Sequence, residues 1–275
     1  MQQFLPMFRR RAAFAALLLC EAPVVAAAPR IVSINPCLDA IVLEVADPGQ
    51  IAAISHYSRQ PRATSIPLAM AARFAVTSGS AEEVVALSPD LVIAGSHVDP
   101  ATVKALRRLG IRLLQLGVPA SIAESQAQIR TIAAAAGQPA RGARLNARID
   151  AALVAARPAQ AWRVPALIWQ GGGLVPGHGT LPGALLEAAG FHNMSADHGL
   201  DSWDVLPLEP LVARPPRVLF SPGLSGDADR ILGHPVLRPL ARQTRISPFP
   251  ERLMRCGGPG LVEALAYLKA VRQTL

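Results

Sequence analysis

Five side chains are best suited to chemistry: His56, His97, His178, Cys37 and Cys256. Each histidine follows an apolar run that reads as a strand, the loop around Cys37 does the same, and Cys256 opens a Cys-Gly-Gly-Pro loop after the last such run. All five therefore belong at the ends of strands, where they can face a common gap. Imidazole and thiolate are ligands for borderline cations, so a mixed His/Cys site is chemically sound. No HxxH, HExxH or CxxC spacing exists, however, and a direct metal-ion carrier is the weaker reading; no metal ligand is assigned. The separation of Cys37 and Cys256 leaves pairing, free thiols and ligand contact all open.

Two sets of neighbours carry the residue types of a hydrolase: Ser96 and His97 with Asp99, and Ser195 with Asp197 and His198. Residues this close in sequence rarely converge in space, and neither set has a nucleophile-elbow context. Catalysis is held behind binding, and the chain is read as a non-enzyme. The Gly171-Gly172-Gly173 loop, with Gly177, Gly179 and Thr180, precedes a helix but lacks the Lys of a phosphate loop and the spacing of a dinucleotide fingerprint.

The elements that must carry these residues alternate short β-branched runs with helical periods, the pattern of α/β units with parallel sheets. In the first half, strands are expected at Ile31 to Ile34, Ile51 to Ser55, Leu91 to Ala94 and Arg112 to Leu116. Helices fall near Cys37 to Ala46, Ala81 to Leu87 and Pro100 to Leu109. The second half repeats the order: strand Ala166 to Gln170, helices Leu181 to Ala189 and Leu208 to Ala213, strand Val218 to Ser221, a helix near Pro235 to Ala241, and strand Arg245 to Ser247. One unit recurs: the stretch from Glu82 to Ile93 and the stretch from Glu209 to Phe220 both read Glu, short helix, Pro, buried strand. Between the halves, Ser121 and Glu124 are spaced as a capping box and Pro139 suits the first turn of a helix running to Ala156. At 1.5 Å per residue that helix reaches about 27 Å, a stiff strut rather than a flexible linker.

With 51% hydrophobic and 17% charged residues the chain is globular rather than disordered, and its 275 residues allow two lobes. Its 27 Lys+Arg against 19 Asp+Glu raise the question of nucleic acid. Only Lys104 and Lys269 are lysines, and the arginines lack the basic run and interleaved aromatics of a phosphate-tracking surface, so no nucleic-acid partner is expected.

Residues 1–27 read as a signal peptide. Arg9, Arg10 and Arg11 precede an apolar run from Ala12 to Cys20, and Val25-Ala26-Ala27 offers small residues before a cut. The run is too short to span a bilayer. Leu19 stands where a lipid-attachment signal at Cys20 wants a small residue. The expected organisation is residues 1–27 signal peptide, 28–138 N-terminal lobe, 139–157 connecting helix and 158–275 C-terminal lobe.

Taken in order, several stretches resemble the helical-strut periplasmic binding proteins that serve ABC importers of cobalamin, ferric siderophores and haem, and among them the cobalamin binders most. They are His56-Tyr57-Ser58 with Pro61, Glu82 through Ala94, Leu109-Gly110-Ile111, Ile168-Trp169-Gln170 with its glycine loop, Trp203, and Leu208 through Phe220. The resemblance implies two Rossmann-like α/β lobes with parallel sheets, joined by one long helix, with a ligand cleft between them. It implies a monomer in the periplasm that captures cobalamin or a related corrinoid, or alternatively a ferric siderophore or haem, and delivers it to an ABC transporter permease dimer.

The resemblance also assigns residues. Glu82 and Glu209 match acidic positions that dock the permease; Tyr57 and Trp203 match pocket aromatics. A further pocket aromatic is replaced by Thr77-Ser78-Gly79, with Phe74 as a nearby substitute. Cys37, His97, His178 and Cys256, which the resemblance does not explain, complete the candidate ligand-binding set by their positions after the expected strands. Aromatic faces suit a planar macrocycle, because they cover apolar area while its polar rim finds other partners. Acids in a first turn also stabilise the helix dipole. Ser80 with Glu83 forms a capping pair, so Glu83 serves its own helix and Glu82 faces outward.

Overall fold

The structure is a computed structural model and describes residues 28–159, 162–221 and 243–275. The expected signal peptide and the helix expected near Pro235 to Ala241 lie outside the described residues.

In the first lobe the chain runs β1 (Ile31–Ser33), α1 (Pro36–Val45), β2 (Ile51–Ser55), α2 (Leu68–Ala71), β3 (Val76–Thr77), α3 (Ala81–Ala86), β4 (Leu91–Gly95), α4 (Pro100–Arg108) and β5 (Arg112–Leu116). These strands form one parallel sheet in the order β3-β2-β1-β4-β5. β1 and β4 are buried on both faces, which is why their sequences are unbroken apolar runs rather than alternating ones. β5 ends the sheet and carries exposed Arg112 and Gln115.

Two helices follow, α5 (Ile122–Ala135) and α6 (Pro139–Ala156). Ser121 accepts the Glu124 amide at 3.1 Å while the Glu124 carboxylate turns back to the Ala120 amide at 2.8 Å, so the start of α5 satisfies its own donors. Pro139 sits in the first turn of α6, where its missing N–H costs nothing.

The second lobe runs β6 (Val164–Ile168), β7 (Leu174–Pro176), α7 (Leu181–Ala188), β8 (Phe191–Asn193), β9 (Trp203–Val205), α8 (Leu208–Ala213), β10 (Val218–Ser221), β11 (Arg245–Pro248), α9 (Arg252–Arg255) and α10 (Gly260–Gln273). Its main sheet, β11-β10-β6-β8, is again parallel. β7 and β9 form a separate antiparallel pair. The recurring unit is realised twice, as α3 with β4 and as α8 with β10. β6 starts two residues earlier than expected, taking in Pro165, whose carbonyl accepts the Arg217 amide at 2.9 Å. α10 extends the fold beyond the last expected strand. Its buried Leu261, Ala264, Leu265, Leu268 and Val271 recur at helical spacing.

The fold is therefore two α/β lobes with parallel sheets. α6 packs against α5, α10 and α1. One continuous apolar cluster passes from Ile31 and Ile93 in the first sheet, through Ile132 and Ile149 in α5 and α6, to Ile168 and Phe220 in the second. A shared core of this kind resists rotation of one lobe against the other, because displacement would open cavities lined by fully buried side chains.

Candidate functional site

In the order β3-β2-β1-β4-β5 the chain reverses direction across the sheet between β1 and β4, and the carboxyl ends of strands at such a point form a natural crevice. Asn35 follows β1 and Ser96 and His97 follow β4, and all three line a cavity of about 490 Å³. Further walls come from Cys37 in α1, from Leu116 at the end of β5 through Ala120, from Gln128 in α5 and, on the second lobe, from Gln170 after β6, Thr180 to Pro182 at the start of α7, Ser202 and Trp203 at β9, and Met254 to Gly257. The volume lies within the range of ligand pockets, and both lobes contribute.

Of the candidate residues, the cavity brings together Cys37, His97, Trp203 and Cys256. Tyr57, Phe74 and His178 are not on its lining. Tyr57 sits in the turn after β2, 47% exposed, with its ring 4.0 Å from that of His56. Phe74 packs against the main core and its carbonyl accepts from Arg59 at 2.5 Å. The exposed His178 lies 3.0 Å from the Asp201 carboxylate. Among the described residues no group of three or more His, Cys, Asp or Glu is arranged to hold a metal ion.

Trp203 is positioned by the β7–β9 pair, in which it faces Pro176, and the ribbon continues with the Gly177 amide donating to the Ser202 carbonyl at 2.9 Å. A Cβ on Gly177 would lie 2.5 Å from the Leu200 carbonyl, so this glycine admits the neighbouring strand's own backbone. Trp203 is 38% exposed and lines the cavity.

Cys37 and Cys256 form a disulfide that lines the cavity. Beside it the Gly258 amide donates to the Ser125 hydroxyl of α5 at 2.8 Å, so the loop before α10 is tied to the first lobe twice. A Cβ on Gly257 would meet that hydroxyl at 2.3 Å, and Gly258 adopts φ +74° against Ile41, which explains the paired glycines.

Sequence reasoning missed part of the polar lining, the side-chain amides of Asn35 and Gln128 and the hydroxyl of Ser202, and it named Ser96, Thr180 and Gln170 without assigning them to the ligand. Asn35 caps α1, accepting the Cys37 amide at 3.0 Å and the Leu38 amide at 3.2 Å. An Asn-Pro pair before an apolar run was the signal available for it.

Sequence reasoning also missed Asp39, fully buried in α1 within the Leu38 to Val42 run. Its carboxylate accepts from the Ser58 hydroxyl at 2.5 Å and the Ser55 amide at 2.9 Å, anchoring the turn that carries His56 and Tyr57. Burial pushes its pKa up to about 7, against the restraint of the Ser33 and Ser58 hydroxyls and the Ser55 amide.

The set of Ser195, Asp197 and His198 does not assemble. The buried Ser195 hydroxyl is spent on the Pro176 carbonyl at 2.6 Å and the Asn193 side chain at 2.7 Å, and Asp197 pairs with His192 at 2.8 Å rather than with His198.

Glu82 and Glu209 occupy first-turn positions of α3 and α8, exposed and without an ion pair among the described residues. Glu83 behaves differently. Its carboxylate accepts from the Ser78 amide at 2.7 Å and the Thr77 hydroxyl at 2.8 Å, and these bonds hold it below the usual carboxylate range.

Residues 31–245 match the periplasmic binding protein family, and the chain belongs to that family. The family and the fold are those of solute-binding proteins. A cobalamin-binding protein of Halobacterium salinarum is 32% identical over 208 residues, covering 72% of this chain and 54% of the relative. The chain thus spans about half the length of the curated relatives it matches. Among solved structures, the periplasmic heme-binding protein RhuT of Roseiflexus sp. RS-1 superposes with a TM-score of 0.69 at 28% identity, covering 88% of this chain and 97% of that one. The periplasmic vitamin B12 binding protein BtuF of Vibrio cholerae gives 0.68 at 17% identity, with 90% and 99% covered, a likeness of fold. Among the described residues no helix is long and apolar enough to cross a membrane.

Proposed function

We propose that this protein is exported by its N-terminal signal peptide and captures cobalamin or a related corrinoid in the interlobe cavity. It then delivers that solute to an ABC importer permease in the inner membrane. The observation that carries the reading is the cavity lining: Trp203 beside neutral amides and hydroxyls contributed by both lobes. A corrin is a flat macrocycle whose rim bears amides; the aromatic face covers the ring while Asn35, Gln128 and Gln170 match the rim with donors and acceptors of the same kind. The curated cobalamin-binding relative supports the same choice. Residues 28–138 and 158–275 act as the two lobes, and residues 139–157 as the strut.

Haem is the second reading, favoured by the His97 imidazole on the cavity lining, a potential axial ligand for iron. Calorimetric titration of the mature protein with cyanocobalamin, haem and a ferric hydroxamate separates the two. Saturable one-to-one binding of cyanocobalamin, at least ten-fold tighter than the others, is expected. Preference for haem with a histidine-ligated iron spectrum, absent in His97→Ala, would establish the second reading instead.

Delivery rests on Glu82 and Glu209, exposed carboxylates in corresponding units of the two lobes. Two such acids can engage cationic pockets on a two-fold permease at once, and simultaneous engagement strengthens a pair of individually weak contacts.

A further inference from the structure

Beside the solute cavity, and sharing Ser96 with it, lies a second groove of about 540 Å³ between α4 and the end of β5. Its lining includes Lys104, Arg107 and Arg108 with the polar side chains of Ser96 and Gln115, and no carboxylate. The three cations recur at i, i+3 and i+4, so α4 presents them on one face. All three are exposed, and none has an ion pair among the described residues. Asp99, the acid that begins this helix, is occupied at the other end, where it accepts the Ala101 amide at 2.8 Å. Like charges at these spacings oppose helix formation. The helix dipole compensates for Arg107 and Arg108 in the last turn but not for Lys104 in the middle. Lys104 is one of only two lysines in the chain. The sequence thus concentrates unneutralised charge along a groove that shares Ser96 with the cavity.

We infer that this groove receives an anionic arm of the bound solute, a phosphodiester or carboxylate, whose macrocyclic body occupies the main cavity. A phosphodiester is held well by a guanidinium fork and an ammonium, with the Ser96 hydroxyl and Gln115 amide as neutral donors. For a corrinoid, that arm is the phosphodiester of the nucleotide loop. The assignment rests on the capture reading above and adds a specificity to it: the complete cobalamin is preferred over its loopless precursor.

The test is a cycle of two ligands and two proteins. Cyanocobalamin and dicyanocobinamide, which lacks the nucleotide loop and its phosphodiester, are titrated into the wild-type chain and into the Lys104→Ala/Arg107→Ala/Arg108→Ala variant. Thermal unfolding checks that the variant is folded. Wild type should prefer cyanocobalamin by ten-fold or more, and the variant should bind both with the affinity wild type shows for dicyanocobinamide. Equal affinities in wild type, or a preference that survives in the variant, overturn the groove assignment while the capture reading stands. If neither corrinoid binds, the capture reading fails, and haem against its dimethyl ester decides the groove. A preference for free propionates that the variant loses sustains it, and indifference overturns it.

Discussion

Cys37 and Cys256 are bonded across the junction of the two lobes, joining the first turn of α1 to the loop that enters α10 over a sequence separation of 219 residues. With the Ser125 to Gly258 hydrogen bond beside it, the bond fixes the edge of the cavity to both halves at once. An oxidising compartment is where such a bond persists.

The Cys37→Ser/Cys256→Ser variant should therefore lose about 2–4 kcal/mol of unfolding free energy, and wild type treated with reductant should match it. Urea unfolding with and without dithiothreitol measures both. Coincident midpoints for oxidised wild type and the variant would show that the shared core alone holds the lobes.

Asp39 predicts a pH dependence of stability. Its folded pKa, raised from 3.8 to about 7, means that the folded protein binds a proton more tightly than the unfolded chain. The stabilisation from that proton is complete below about pH 4 and is lost as pH rises through about 7. Asp39→Asn keeps the shape and an acceptor for Ser58 and Ser55. It should flatten the fall in thermal midpoint between pH 5 and pH 8, conditions chosen to bracket the transition. An unchanged slope would assign the pH dependence to other groups.

Trp203 lines the cavity and Tyr57 does not, so their substitution should differ. Trp203→Ala is expected to weaken cyanocobalamin binding by roughly ten-fold or more, the scale of losing one aromatic face over a macrocycle. Tyr57→Ala should have the smaller effect. Intrinsic fluorescence titration gives both numbers, and the reverse order would move the solute toward the β2 turn.

Glu82→Ala/Glu209→Ala should stop solute uptake in cells while leaving affinity within a few-fold, since neither residue lines the cavity. Radiolabelled uptake paired with calorimetry separates transport from binding. Uptake that survives the double substitution removes both residues from docking.

Much of this architecture is legible in residue order because it is local. Ile51 to Ser55, Arg112 to Leu116, Leu208 to Ala213 and Pro139 to Ala156 are recovered to the residue, since short apolar runs mark the two strands and Pro207 and Pro139 mark where the two helices begin. The β7–β9 pair is not, because three-residue strands beside Gly171-Gly172-Gly173 carry no period and depend on Gly177 meeting Leu200 to Ser202 in space. The disulfide likewise follows from how the lobes pack, which spacing does not encode. His178 and Cys37 both sit near strand ends, yet only Cys37 reaches the cavity, so strand-end position identifies a rim and not the part of it that is hollow.

The central claim is that one solute is held between the lobes, touching both. Hydrogen exchange of the mature protein with and without cyanocobalamin tests it most directly. The account predicts slowed exchange at Ser96 to Val98 and Gly117 to Ala120 in the first lobe together with Ser202 to Trp203 and Cys256 to Gly257 in the second. Protection confined to one lobe, or none at saturating ligand, would contradict it.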